Sequence, residues 1–117
     1  MAEELIYKQP QKMSREELEA EFASDDAERI LDALISAFYT EPHEDVEQWC
    51  YRFANHRDEP ARRGAAIVLG NIALACGLRD FERAISVLET LRQEPVLRMH
   101  AEDSLGYVLH AGRGRVQ

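Results

Sequence analysis

Few residues in this chain have the type and spacing for chemistry. His43 and Glu47 stand four apart, one helical turn, so an imidazole and a carboxylate there could share a divalent ion. No third ligand falls into register with them, and no metal centre is expected. Cys50 and Cys76 lack the Cys-x-x-Cys spacing of a metal or redox pair. Both lie in apolar helical patterns and read as buried, reduced thiols. His100 and His110 would lie about 15 Å apart along one helix, too far to converge. The acid pairs Asp25-Asp26, Glu44-Asp45 and Glu102-Asp103 are sequence neighbours, so a helix sends their members to different sides. No Gly-x-Ser-x-Gly elbow or Gly-rich phosphate loop is present. The residues therefore predict no catalytic site, no metal and no cofactor.

What the chain does carry is charge, unevenly placed. The net charge is −8. Residues 1–59 hold 16 acids against 6 bases, and residues 60–117 hold 6 against 8, so the negative charge belongs to the first half. It is densest between Ser14 and Glu28. An acidic balance of this kind opposes binding to a phosphate backbone and suits a basic protein partner. Glu17, Glu21, Asp25 and Asp26, with Asp32 beyond them, are the candidate docking residues on that account. The alternative is a solvated helix face that keeps a small protein in solution.

The elements that must position these residues read as helices throughout. At 117 residues and 45% hydrophobic content the chain makes one domain, 1–117, with a core of its own. No apolar run reaches the ~20 residues of a membrane helix, and Met1-Ala2-Glu3-Glu4 is not a signal peptide, so the cytoplasm is the expected compartment. Residues 1–13 form a polar lead-in around Leu5, Ile6 and Tyr7, with Pro10 discouraging an early helix. Ser14 with Glu17 is a capping box opening helix one, marked by Leu18 and Phe22. Helix two opens at Asp25 or Asp26 and carries a broad stripe of Ile30, Leu31, Leu34, Ile35 and Phe38. Helix three, 42–55, buries Val46, Trp49, Cys50 and Phe53. Helix four follows Asp58-Glu59 with Pro60 in its first turn, and Gly77 is its expected left-handed stop. Helix five begins at Asp80. Helix six follows Glu94 with Pro95 in its first turn and closes at Gly112, leaving 112–117 as a loose tail. Tyr39 and Tyr107 fall off the main stripes and are candidate contact residues.

The helices repeat. Arg62, Ala65 and Leu69-Gly70 return as Arg98, Ala101 and Leu105-Gly106, a shift of 36 residues. A shift of 35 aligns Val46 with Phe81, Glu47 with Glu82 and Cys50 with Ile85. A shift of 34 sets Ile35 on Leu69 and Ser36 on Gly70, a degenerate first copy. A helix-interior glycine costs roughly 1 kcal/mol against alanine. Two at matched positions imply that a neighbouring helix approaches each. Asp25/Arg29, Asp58/Arg62 and Glu94/Arg98 recur as acid-then-arginine at i, i+4 and read as local ion pairs marking the register.

These Pro…Arg-x-x-Ala-x-x-x-Leu-Gly helices at 60–70 and 95–106 resemble the HEAT-like repeat family. The resemblance implies an all-α fold, a right-handed stack of three helical hairpins at about 14–39, 42–76 and 79–111. It also implies a concave side lined by the second helix of each pair, with Arg29, Ala33, Arg63, Ile67, Asn71, Met99, Asp103, Tyr107 and His110 facing inward. Size and acidity together resemble some immunity proteins of bacterial toxin–immunity systems of the contact-dependent inhibition type. That likeness implies a basic partner, a toxin nuclease domain, covered at its active cleft, with no nucleic acid or membrane bound. A non-inhibitory scaffold binding a peptide or protein is the alternative, with weight on Asp103 and Tyr107. A lyase-like enzyme subunit is the remote one.

Overall fold

The computed structural model describes residues 12–116, with side chains through Arg113, and is all-helical over that span. The predicted lead-in contacts of Leu5, Ile6 and Tyr7 lie outside the described residues. Six helices follow in order: α1 Arg15–Ala23, α2 Ala27–Thr40, α3 His43–Phe53, α4 Glu59–Leu74, α5 Phe81–Leu91 and α6 Arg98–Val116.

Local chemistry starts most of them. Ser14 and Glu17 close a reciprocal capping box, Glu17 N–H to Ser14 Oγ at 3.1 Å and Ser14 N–H to Glu17 Oε1 at 2.8 Å. Asp26 Oδ1 accepts from the amides of Glu28 and Arg29 to open α2, and Asp80 Oδ1 accepts from Arg83 to open α5. Pro60 sits in the first turn of α4, as expected. Pro95 does not do so for α6. Residues Glu94–Leu97 make a tighter i, i+3 turn, and regular helix begins only at Arg98. Glu94 is drawn away from capping because its carboxylate is held by Arg62.

Packing is organised around α4. It lies against α2 on one side and α6 on the other, while α3 packs on α4, α5 on α6 and α1 on α2. The α4 faces are made of small residues, with Ala61, Ala65 and Ala66 fully buried. A Cβ on Gly64 would come within 3.2 Å of Leu31 Cα in α2. A Cβ on Gly70 would come within 3.1 Å of Ser104 Cα and 2.8 Å of Ser104 Cβ in α6. The close approach expected at Gly70 is therefore present. At its repeat-mate Gly106 it is not: an added Cβ would meet nothing within 4 Å. Gly106 stands on α6, the last of the six described helices, on a face that none of the other five covers.

Three other expectations are corrected. The left-handed residue ending α4 is Cys76 (φ 61), not Gly77. The Gly77 amide bonds Ile72 O at 2.9 Å and the Cys76 amide bonds Ala73 O at 3.0 Å, a Schellman motif with cysteine in the glycine position. Gly77 is needed instead because the His43 ring packs over it. Cys76 is thereby exposed, and only Cys50 is buried. Finally, α6 does not stop at Gly112 but runs on to Val116, so 112–116 is no loose tail. A Cβ on Gly112 would lie 3.3 Å from Phe81 Cδ2, and this packing against α5 outweighs the glycine's poor helix propensity.

The register pairs are also not local. Arg29 takes Glu21 through two bonds of 2.6 and 2.9 Å. Arg62 takes Glu94 at 3.0 and 2.8 Å and donates to His56 O at 2.7 Å. Arg98 donates to Arg92 O at 3.4 Å. Two-point geometry with a distant carboxylate wins over a single contact one turn away.

The same substitution at the two matched glycines should act with opposite sign. Gly70→Ala is expected to destabilise by about 1–3 kcal/mol through overpacking against Ser104. Gly106→Ala should stabilise by about 0.5–1 kcal/mol. Urea melts in dilute solution check both. Cys76→Gly should add roughly 1 kcal/mol by relieving the left-handed backbone. A thiol reagent should titrate Cys76 in the native protein and Cys50 only on unfolding.

Candidate interaction surface

The dense acidic stretch is largely committed to holding its own backbone and neighbours. Glu17 belongs to the capping box and Asp26 to the α2 N-cap. Glu21 is clamped by Arg29, which holds its carboxyl below the usual range. Asp25 has a left-handed backbone (φ 61) and accepts from Arg57 at 2.6 Å while meeting His56 Nε2 at 2.9 Å. The Arg57 guanidinium, then the His56 ring, keep the Asp25 carboxyl below its ordinary value. These four acids contribute to the field around the protein, and each already has a partner within the chain.

Asp32 and Tyr39 differ. They lie seven apart on α2, two turns, and share one exposed face. Tyr39 is 66% exposed, and beside it Leu74 of α4 is 59% exposed. Together with Phe38, Asn71 and Ala75 they line a shallow open depression of about 340 Å³ between α2 and α4. Tyr39 meets Phe38 edge-on at 5.0 Å, and Phe38 is stacked on His43 at 5.1 Å. On α6, Asp103 and Tyr107 lie one turn apart and are both exposed. Tyr107 is the repeat-mate of Asn71, and Asp103 of Ile67, so the helical phase that sets Asn71 into the depression places Tyr107 at the matching point of α6. Of the other residues expected to face inward, Arg63, Ile67, Asn71 and His100's neighbour Met99 are half-buried or exposed. Ala33 is not: it is fully buried, because α2 turns that side onto the core.

The most unusual carboxylate was hidden from sequence reading. Glu47 is 1% exposed. Its Oε1 accepts from the Arg79 amide at 2.9 Å, and its Oε2 accepts from the Asp80 amide at 3.0 Å and the Tyr51 hydroxyl at 2.6 Å. It thus ties α3 to the entry of α5. Burial, then this bond to Glu47, pushes the Tyr51 phenol up, and the Arg83 guanidinium caps the ring at 4.2 Å. Burial, with the Glu47 charge adding to it, pushes the Cys50 thiol up as well, so that thiol stays protonated and unreactive. The only signal in the sequence was an acid inside the Val46–Cys50–Phe53 stripe. The Glu47 carboxylate is taken up by these three donors and the His43 ring is stacked on Phe38; among the described residues no group of three or more His, Cys, Asp or Glu side chains is placed to hold a metal. No helix among them is long and apolar enough to cross a membrane.

Asp25 and Glu21 have folded-state values below those of the unfolded chain. Their stabilising share is complete above the usual carboxylate range and is lost as pH falls through the depressed values. Asp25→Asn keeps a residue that tolerates positive φ but removes the charge. Urea midpoints between neutral pH and about pH 3 should fall less steeply for this variant than for the parent. Comparison with protein-family models, with curated proteins and with solved structures gives no match.

Proposed function

We propose that the chain is a non-catalytic protein-binding inhibitor that covers the active cleft of a basic partner, a nuclease-type toxin of a bacterial toxin–immunity pair being the kind that fits. In this reading the three helix pairs form a right-handed HEAT-like stack in the cytoplasm, and α2, α4 and α6 present its working side. The observation that carries the reading is the combination on that side of exposed aromatic anchors and unclamped carboxylates: Tyr39 and Asp32 on α2, Leu74 and Asn71 on α4, Tyr107 and Asp103 on α6. Rigid tyrosines give contact area at low entropic cost, and carboxylates without an internal ion pair can meet arginine or lysine without first breaking one. The clamped acids Glu17, Glu21, Asp25 and Asp26 act at longer range, raising the encounter rate with a basic surface.

The shallow depression between α2 and α4 favours one second reading, a scaffold that seats a peptide side chain beside Tyr39 without inhibiting anything. The two readings use the same face and differ in the effect on the partner.

Affinity capture from the source cells at low and high salt, followed by activity assays of the captured protein, tests both. The expected result is a basic protein held at low salt, released at high salt, and inactive while bound. Tyr39→Ala and Asp103→Arg should each weaken capture by about tenfold or more, and Glu17→Gln by no more than about twofold. A partner whose activity is unchanged in the complex supports the scaffold, and recovery of no basic protein rejects the inhibitor.

A further inference from the structure

The outer seam of α6 has the same phase as the seam through which α4 receives α6. On α4 that seam is Ala66, Gly70 and Ala73, all buried. It is where Ser104 of α6 comes closest, its Oγ donating to Ala66 O at 2.7 Å. Thirty-six residues on, the same positions are Glu102, Gly106 and Leu109. None is buried, and Gly106 has open space where its side chain would be. Extended by one position each way, the seam reads Met99, Glu102, Gly106, Leu109, Arg113, the 3-4-3-4 spacing of a helix built to lie along another helix. Met99 is 71% exposed and Leu109 46% exposed, so its apolar members are uncovered.

Its charges say what fits. Glu102 lies four residues before Gly106, and Arg113 lies seven after it. A second copy of α6 laid antiparallel, with Gly106 of each copy facing Leu109 of the other, brings Glu102 of each copy beside Arg113 of the other. A parallel copy would set Glu102 against Glu102 and Arg113 against Arg113. The seam is therefore self-complementary in one orientation only. Glu102 already touches Arg92 at 3.2 Å, but both side chains are near half exposed, and the second carboxylate oxygen remains available. The helix-interior glycine that does nothing in a single chain gains a purpose, since Leu109 of the other copy can approach it as Ser104 approaches Gly70.

We propose that the protein associates as a two-fold dimer through α6, antiparallel, with Leu109 of each copy packed over Gly106 of the other. The seam is separate from the Tyr39 and Leu74 depression, and its test needs no partner protein.

Sedimentation velocity of the full chain over a concentration series reads the outcome. The parent should show a reversible monomer–dimer equilibrium. Gly106→Ala should weaken the dimer by about tenfold or more although it stabilises the folded chain. Glu102→Arg and Arg113→Glu should each be monomeric, having placed like charges across the crossing. An equimolar mixture of the two should dimerise again, because each seam then meets its opposite. A chain that is monomeric at every concentration overturns the proposal and leaves the seam to a foreign helix or to solvent. A dimer unaffected by Gly106→Ala and by both charge reversals overturns it too. Failure of the mixture to reassociate, with both variants folded by circular dichroism, rejects the antiparallel crossing.

Discussion

The structure depends on how closely helices can approach α4. It is the one described helix with a major neighbour on both flanks, α2 and α6, and it meets them with glycine and alanine. Gly64 takes Leu31, and Gly70 takes Ser104. That closeness removes water from polar groups near the contact, and each such group must then find a partner within the protein. Ser104 bonds the Ala66 carbonyl, Glu47 collects two amides at the entry of α5, and Arg62 spans to Glu94. Among the described residues no buried side-chain nitrogen or oxygen lacks a hydrogen bond. Arg29 and Arg62 reach past the acid one turn before them to a more distant carboxylate, whereas Arg63 pairs with Glu59 one turn away at 2.6 Å.

The same economy shapes the surface. More than half of the described acids of the first half are engaged in caps or in paired contacts with Arg15, Arg29 and Arg57. Arg15 alone reaches Glu19, Glu41 and Asp45, with its guanidinium 4.8 Å above the Trp49 ring. Net charge and contact chemistry are thus separated: the field comes from one part of the molecule, while the exposed aromatic and unclamped acidic side chains lie on α2 and α6. Salt weakens the first over about 8–10 Å, and weakens a desolvated contact much less.

Helix positions were legible in the sequence because apolar spacing, caps and Pro60 all act locally. Gly70 was legible because a repeated cost in an otherwise apolar helix needs a cause. Gly106 was misread by the same logic, since a repeat pattern does not say which copy has a helix packed on that face. Cys76 looked buried because the apolar period runs up to it, yet the Schellman turn swings it outward. Glu47 and the Arg62–Glu94 bridge were not visible because both join residues about a repeat apart. Tyr39 and Tyr107 read as off-stripe residues, Asp32 as an acid of the first half and Asp103 through the HEAT-like resemblance, and the structure leaves all four exposed. That Glu17, Glu21, Asp25 and Asp26 were already engaged could be learned only from the folded chain, Glu17 and Asp26 excepted, whose capping positions the sequence does show.

Having a single interior helix also limits how the chain can be shortened. In a long array, loss of an end unit exposes a seam that the next unit resembles, and the remainder still has interior layers. Here, removal of everything from α5 through α6 would strip Ala66, Gly70 and Ala73 of their cover and leave Arg62 without its carboxylate. Removal of α1 and α2 would uncover Gly64 on the opposite flank. Neither terminal pair is an accessory to a smaller core, so unfolding should have no halfway station in which one pair has left and the other two remain.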